Sequence, residues 1–187
     1  MLAAVLAEQT PRYMRKENVI LIRLYESPCG LLRLGSWKDS LCLCDWSVEK
    51  HSVSVDRHLK KGLEADIMSG DSDVIMKAVA QLDEYFAGQR SVFDVPLLFL
   101  GTDFQKRVWR ELLDIPYGTT VSYVEMARRI GMPKAVRAVA NANGANIISI
   151  FAPCHRVIGS NHSLTGYRGG LEAKRALLAL EGIRDVR

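Results

Sequence analysis

The sequence predicts an α+β fold, with a small antiparallel sheet ahead of a helical second half that carries a helix-turn-helix. Three observations predict it. Short runs rich in strand formers crowd residues 19 to 47. From residue 72 onward apolar residues recur three and four apart, the period of a helix buried along one face. In the second half two short helical patterns are joined by a turn that contains glycine. The composition agrees: 187 residues, 48% hydrophobic and 25% charged, exclude collagen-like, low-complexity and disordered chains. A chain of this length buries roughly 70% of its unfolded surface, so a core is within reach without disulfides.

Residues 19–26, 31–36 and 41–47 read as three strands of a meander, punctuated by Ser27-Pro28-Cys29-Gly30 and by residues 36–40. A helix is expected over 56–68. A second is expected over 72–87, where Ile75, Val79, Leu82 and Phe86 share a face, Ser72 or Asp73 caps the start and Gly88 ends it. Residues 91–101 read as a strand leading into a linker, broken by Pro96. The expected organisation is an N-terminal extension (1–18), a first domain (19–98) and a second domain (99–187).

In the second half, residues 103–114 place Phe104, Val108, Leu112 and Ile115 on one helix face, with Asp103 as the cap. Ile115-Pro116-Tyr117-Gly118 is a turn. Residues 122–130 open with Ser122 and carry Glu125 three positions later, a capping-box pattern. After the turn Gly131-Met132-Pro133-Lys134, residues 135–143 form the second short helix, stopped by Gly144. A buried apolar stretch (147–152) leads into Pro153-Cys154-His155-Arg156, and a last helix covers 171–180.

Charge is uneven. Residues 1–100 hold 12 Lys or Arg against 14 Asp or Glu, and residues 101–187 hold 13 against 7. A basic second half suggests an anionic partner, without separating nucleic acid from a merely solvated surface. No apolar run approaches the ~20 residues of a membrane span. The N-terminus lacks the basic region that precedes a secretory signal core, and it reads as an ordinary frayed end. The four cysteines, Cys29, Cys42, Cys44 and Cys154, are therefore expected as reduced thiols. Cys42 and Cys44 read as packing residues. His51 and His58 show no paired ligand spacing, so no metal is expected.

Cys154-His155 carries the chemistry. A thiolate is the nucleophile, and an imidazole can take the thiol proton. The dipeptide alone also fits a buried thiol beside a structural histidine. Asn146 and Glu181 are polar residues in apolar settings, able to orient a site group or to cap a turn. Arg137 is central in the second short helix, the one that a helix-turn-helix presses against DNA. An αα-hairpin without DNA fits the same pattern. The Gly166–Gly170 stretch suits either a flexible loop or close approach of backbone to ligand.

The run Pro153-Cys154-His155-Arg156-Val157 closely resembles the active-site signature of the O6-alkylguanine-DNA alkyltransferases. The resemblance extends over about 80 residues. Phe104, Val108-Trp109, Ile115-Pro116-Tyr117-Gly118, Ser122-Tyr123, Arg137-Ala138-Val139-Ala140, Asn146, Ile150, Gly166-Tyr167, Gly169-Gly170-Leu171, Lys174, Leu177-Leu178 and Glu181-Gly182 fall in family order and spacing. The first 100 residues match loosely, mainly through Ser27-Pro28 with Gly30.

The resemblance implies a ribonuclease-H-like first domain and a winged-helix-like second domain. It implies repair by direct reversal, with the alkyl group of O6-alkylguanine, and of O4-alkylthymine as a further candidate, passing irreversibly to Cys154. On this reading His155 deprotonates Cys154 through a water, Glu181 orients His155, and Asn146 holds the active-site turn. Tyr123 donates to guanine N3, and the Arg168 N–H binds O6. The carbonyls of Cys154 and Val157 read the exocyclic amine. Val157, Tyr167, Arg168 and Gly169 line the pocket. Arg137 fills the stack after the nucleotide is extruded. Arg137, Tyr123, Ala138 and Ser160 contact duplex DNA, from the minor groove, where small residues fit its ~6 Å width.

No cofactor is implied, and the partner is double-stranded DNA carrying the lesion, met by a monomer in the cytoplasm or a nucleus, away from membranes. Some relatives hold zinc through N-terminal cysteines and histidines, a spacing this chain does not reproduce. Two other readings compete: a lesion-sensing DNA-binding module, which the presence of Cys154 disfavours, and a cysteine hydrolase, which predicts many turnovers.

Overall fold

The alternation of apolar and polar residues at the start of the chain is satisfied by a sheet. The structure, a computed structural model, describes residues 18–187. The expected extension over residues 1–18 lies, except for Asn18, outside the described residues. β1 (Val19–Ser27), β2 (Gly30–Trp37) and β3 (Ser40–Trp46) pair antiparallel through two-residue turns, as the meander pattern requires.

The sheet is nevertheless mixed. The helix expected over 56–68 lies earlier, at Glu49–Leu63 (α1), and residues Asp66–Ser69 form a fourth strand, β4, parallel to β1. The strand order is β3-β2-β1-β4. Glu64 adopts a left-handed conformation (φ 50°) that ends α1 and turns the chain back toward the open edge of β1. A four-residue strand is too short to leave a period-2 signal, which is why the sequence hid it. α2 (Asp73–Phe86) packs on the sheet, capped by Ser72, whose side chain accepts from the Ile75 N–H.

The strand expected within 91–101 does not form. Pro96 lacks an N–H, and the segment makes only a local pairing, with Leu41 donating to the Pro96 carbonyl and Leu98 donating to that of Leu41. The other cover on β3 comes from the second half. Cys44 donates to the Ile147 carbonyl (2.9 Å), and Ser149 donates to the Cys44 carbonyl (2.7 Å). Backbone from residues 96–98 and 147–149 thereby pairs with β3, whose groups would otherwise stand open. Ile147, Ile148, Ile150 and Phe151 bury themselves in the core of the sheet.

The second half follows its helical periods. α3 (Asp103–Leu113) buries Val108, Trp109 and Leu112, but its cap is Thr102, not Asp103. Thr102 and Gln105 exchange the two bonds of a full capping box. At Ser122 the box is half made: the hydroxyl accepts from Glu125 N–H, while the Glu125 carboxylate turns to Arg129 instead. α4 (Tyr123–Arg129) and α5 (Val136–Gly144) pack together as the helix-turn-helix, and Gly144 lies in the last turn of α5, with Ala145 as its cap. A two-stranded parallel pair, β5 (Val121–Ser122) with β6 (Val157–Ile158), sets the start of α4 beside the segment that follows Cys154. α6 (Gly170–Leu180) closes the fold. No helix among the described residues is long and apolar enough to cross a membrane.

Candidate active site

Pro153 precedes a single 3-10 turn, Cys154–Arg156, all three residues of which are buried. Cys154 is 3% exposed and belongs to the helical core, with Val108, Trp109, Val139 and Val157. Burial pushes its thiol pKa up, while the Asn146 amide and the Lys174 ammonium pull it down. Asn146 clasps the turn: Nδ2 donates to the Ala152 carbonyl and Oδ1 accepts from Ile148 N–H, each at 2.9 Å.

His155 is fully buried, and its Nε2 lies 2.8 Å from Glu181 Oε1. An ionised carboxylate only accepts, so Nε2 carries the proton and Nδ1 keeps a lone pair. Nδ1 is buried with no hydrogen-bond partner among the described residues. Burial holds the imidazole pKa below its ordinary value, against the pull of Glu181, so the ring is neutral near pH 7.

Glu181 is the hub. Arg156 grips it with a fork, Nε to Oε2 at 2.9 Å and Nη2 to Oε1 at 3.0 Å, and its third nitrogen donates to the Ile115 carbonyl. The Tyr85 hydroxyl donates to Oε1 (2.8 Å) and Gly118 N–H to Oε2 (3.2 Å). Burial alone would raise this carboxyl pKa; His155 and Arg156 outweigh it and bring the value down to about 2. The turn Ile115–Gly118 is built around this group. Gly118 has φ +73°, and a Cβ there would meet the Glu181 carbonyl at 3.2 Å.

Lys174 is also fully buried. It donates to the carbonyls of Val157 (2.7 Å) and Thr165 (3.0 Å), and burial lowers its pKa to about 8. It thus ties β6 to the loop before α6. Tyr123 opens α4 with its hydroxyl accepting from Thr165 (3.3 Å), and burial raises its pKa. The carbonyl of Cys154 accepts from Asn143 Nδ2 (3.3 Å). The same carbonyl accepts from the Val157 N–H, so both its lone pairs are engaged, and the Val157 carbonyl is engaged by Lys174.

The structure brings Cys154, His155, Asn146, Glu181 and Val157 into one buried cluster. Tyr167, Arg168 and Gly169 form the loop between Thr165 and α6, a loop held by the end of β3. Arg137 and Ala138 stand exposed in the first turn of α5, and Ser160 is exposed just after β6, outside the buried cluster. Sequence reasoning did not assign roles to Arg156, Tyr85, Asp45 or Trp46. Arg156 had a signal, being an arginine inside an apolar run. Tyr85 and Asp45 had none, because their partners stand 96 and 123 positions away. Among the described residues no three His, Cys, Asp or Glu side chains group as metal ligands do.

Two family models match the chain. One is the ribonuclease-like domain of 6-O-methylguanine DNA methyltransferase, over residues 20–99, and the other is the DNA binding domain of the same family, over residues 103–183. The methylated-DNA–protein-cysteine methyltransferase of Mycobacterium tuberculosis H37Rv is 58% identical over 114 residues, 61% of this chain and 69% of the relative. That of Methanosarcina acetivorans is 43% identical over 159 residues, 85% and 96% of the two chains. Among solved structures, the M. tuberculosis O6-methylguanine methyltransferase superposes with a TM-score of 0.73 at 44% identity, covering 87% of this chain and 92% of the other. M. tuberculosis OGT in complex with DNA gives 0.72 at 43% identity over the same shares.

Proposed function

The chain belongs to the 6-O-methylguanine DNA methyltransferase family, and from that premise we propose that it repairs DNA by moving the alkyl group of O6-alkylguanine onto Cys154. The observation that carries this reading is the buried relay at Cys154–His155–Glu181. A neutral imidazole is pinned by Glu181 through Nε2, leaving Nδ1 as the acceptor for the thiol proton.

The step balances without a cofactor. The Cys154 proton passes to His155 Nδ1 through a water. The thiolate then attacks the alkyl carbon in line, so that the C–S bond forms as the C–O6 bond breaks. The electron pair returns to the guanine, and a proton from Tyr123 at N3 lets the base leave neutral. The Arg168 N–H holds O6 through the displacement. Lys174, close enough to pull the thiol pKa down, favours the thiolate.

The product is a thioether, which has no good leaving group, so each chain acts once. The target atom lies inside the duplex, so the nucleotide is extruded, at a cost of a few kcal/mol. Exposed Arg137, in the first turn of α5, fills the gap from the minor groove. Ala138 permits the close approach, and Ser160 meets a phosphate. The protein works as a monomer in a compartment that keeps thiols reduced, cytoplasm or nucleus, in keeping with its four free cysteines. O4-alkylthymine fits the same displacement.

The test is the intact mass of the chain after mixing with duplex DNA that holds one O6-methylguanine. A gain of one methylene, mapped to Cys154 and capped at one per chain, is the expected result. An unmodified protein that still retains the lesion-bearing duplex overturns the transfer reading in favour of lesion sensing. Continued turnover overturns the single-use reading.

A further inference from the structure

We propose that Asp45, at the end of β3, is a positioning residue for alkyl transfer. Together with Trp46 it latches the loop Tyr167–Gly169 onto the sheet, and so sets both the place of the O6-binding N–H and the room left for the alkyl group. The inference rests on the reading above and adds to it a role for the first half of the chain.

Three consecutive loop residues each meet this short stretch of β3. Arg168 grips Asp45 with a two-nitrogen fork, Nε to Oδ1 at 2.8 Å and Nη2 to Oδ2. Asp45 is 3% exposed, so this carboxylate is committed to the loop and not to solvent. A fork of this kind fixes direction as well as distance, which a single contact does not. Tyr167 sets its ring edge-on to Trp46, with centroids 5.8 Å apart. Gly169 lies flat on the same indole: a Cβ there would stand 2.4–2.7 Å from three Trp46 ring atoms.

The partner strand is itself anchored. Cys44, the residue before Asp45, exchanges backbone bonds with Ile147 and Ser149, which lead into the Pro153–Cys154 turn. The two sides of the pocket, the turn that carries the thiol and the loop that carries the Arg168 N–H, are therefore referenced to one strand end. Displacing a reacting group by as little as ~1 Å can cost up to ~100-fold in rate. Asp45 touches neither substrate nor thiol in this scheme. Its charge raises the Cys154 thiol pKa, so removing it favours the thiolate, and a slower Asp45→Asn reports the loss of Arg168 positioning and not of that charge.

The consequence is discrimination by size. A latched loop holds the geometry suited to a small alkyl group, and a released loop loses that geometry but admits larger groups. In Asp45→Asn, single-turnover transfer from O6-methylguanine in duplex DNA falls about tenfold, while transfer from O6-benzylguanine falls less. The benzyl-to-methyl ratio therefore rises at least threefold. Arg168→Lys keeps the charge but loses the fork and shifts the ratio in the same direction. The double variant is no slower than the slower single variant, because both remove one latch.

A parallel readout follows trypsin cleavage after residue 168, which accelerates in Asp45→Asn and in Arg168→Lys relative to the wild type. Rates that multiply in the double variant with an unchanged ratio overturn the proposal, as does wild-type behaviour of Asp45→Asn in both assays. If Asp45→Asn does not fold, Arg168→Lys alone decides by ratio and cleavage. If the wild type never alkylates Cys154, the transfer reading falls. Cleavage then still decides the latch, and unchanged cleavage in both variants overturns it.

Discussion

The Tyr85 hydroxyl, on α2 above the sheet, donates a 2.8 Å hydrogen bond to Oε1 of Glu181, the same oxygen that holds His155. The first half of the chain thus reaches into the relay proposed to activate the thiol. Burial and the neighbouring carboxylate both raise the phenol pKa, so it remains a donor at every physiological pH. Tyr85→Phe removes one charge-assisted donor and leaves the others. It is expected to lower stability by about 1.5–3 kcal/mol, read as the urea midpoint, and to slow transfer. An unchanged midpoint refutes the bond's contribution.

Glu181→Gln reaches deeper, because it strips from the buried Arg156 fork the only anion that meets it among the described residues. Leaving a buried guanidinium uncompensated is expected to cost about 3–5 kcal/mol. The wild type carries the same dependence on pH. The Glu181 pKa in the folded chain is about 2, below its ordinary 4.5. The unfolded chain therefore binds the proton first on acidification. This contribution is fully present above pH 4.5 and is lost as pH falls from there through about 2. Equilibrium unfolding across that range checks it: Glu181→Gln flattens the acid limb. An unchanged slope contradicts the assignment.

The rate of transfer has its own pH limb. His155 accepts the thiol proton only when neutral, and burial holds its pKa below the ordinary 6.5. Because that pKa lies below 6.5, more than half of the rings are neutral at pH 6.5, and lowering the pH from 7.5 to 6.5 is expected to cost less than half of the single-turnover rate constant through this group. A rate that already halves at pH 7 implies a histidine charged by Glu181, and a different proton acceptor.

Gly169→Ala places a methyl against the Trp46 indole, which is walled by core. The loop must shift, at a cost of about 1–3 kcal/mol, and transfer slows with it. Thermal unfolding and single-turnover rates measure the two effects. A variant of unaltered rate shows that the loop tolerates the displacement.

Arg137→Ala tests extrusion apart from chemistry. Its side chain is exposed and makes no hydrogen bond or ion pair to the buried relay among the described residues, so stability should hold within about 0.5 kcal/mol. Transfer from duplex DNA should fall steeply, while reaction with free O6-benzylguanine is retained. Equal loss on both substrates rules out the stack-filling role.

The periodic elements were readable in advance because each reports its own environment. The three antiparallel strands and helices α2 to α6 follow from spacing, caps and glycines within a dozen residues of one another. β4 was not readable, since four residues against an open edge carry no period of their own. The strand expected within 91–101 does not form, because Pro96 interrupts the ladder that Val95 and Leu97 suggest. In the site, the Pro153–Val157 run and its neighbours drew attention to the residues that gather there. Asp45, Trp46 and Tyr85 were silent, because each acquires meaning only through a contact made across the fold.

That same dependence fixes an order of events during synthesis. Glu181 follows His155 by 26 positions. At about 5–20 residues per second, the ribosome makes the thiol and its base seconds before it makes the carboxylate that sets the base's tautomer. Until α6 docks, Arg156 has no anion, the imidazole has no fixed orientation, and Cys154 is an ordinary thiol in an unfinished core. On the proposed reading, competence for alkyl transfer therefore arrives only with the last helix.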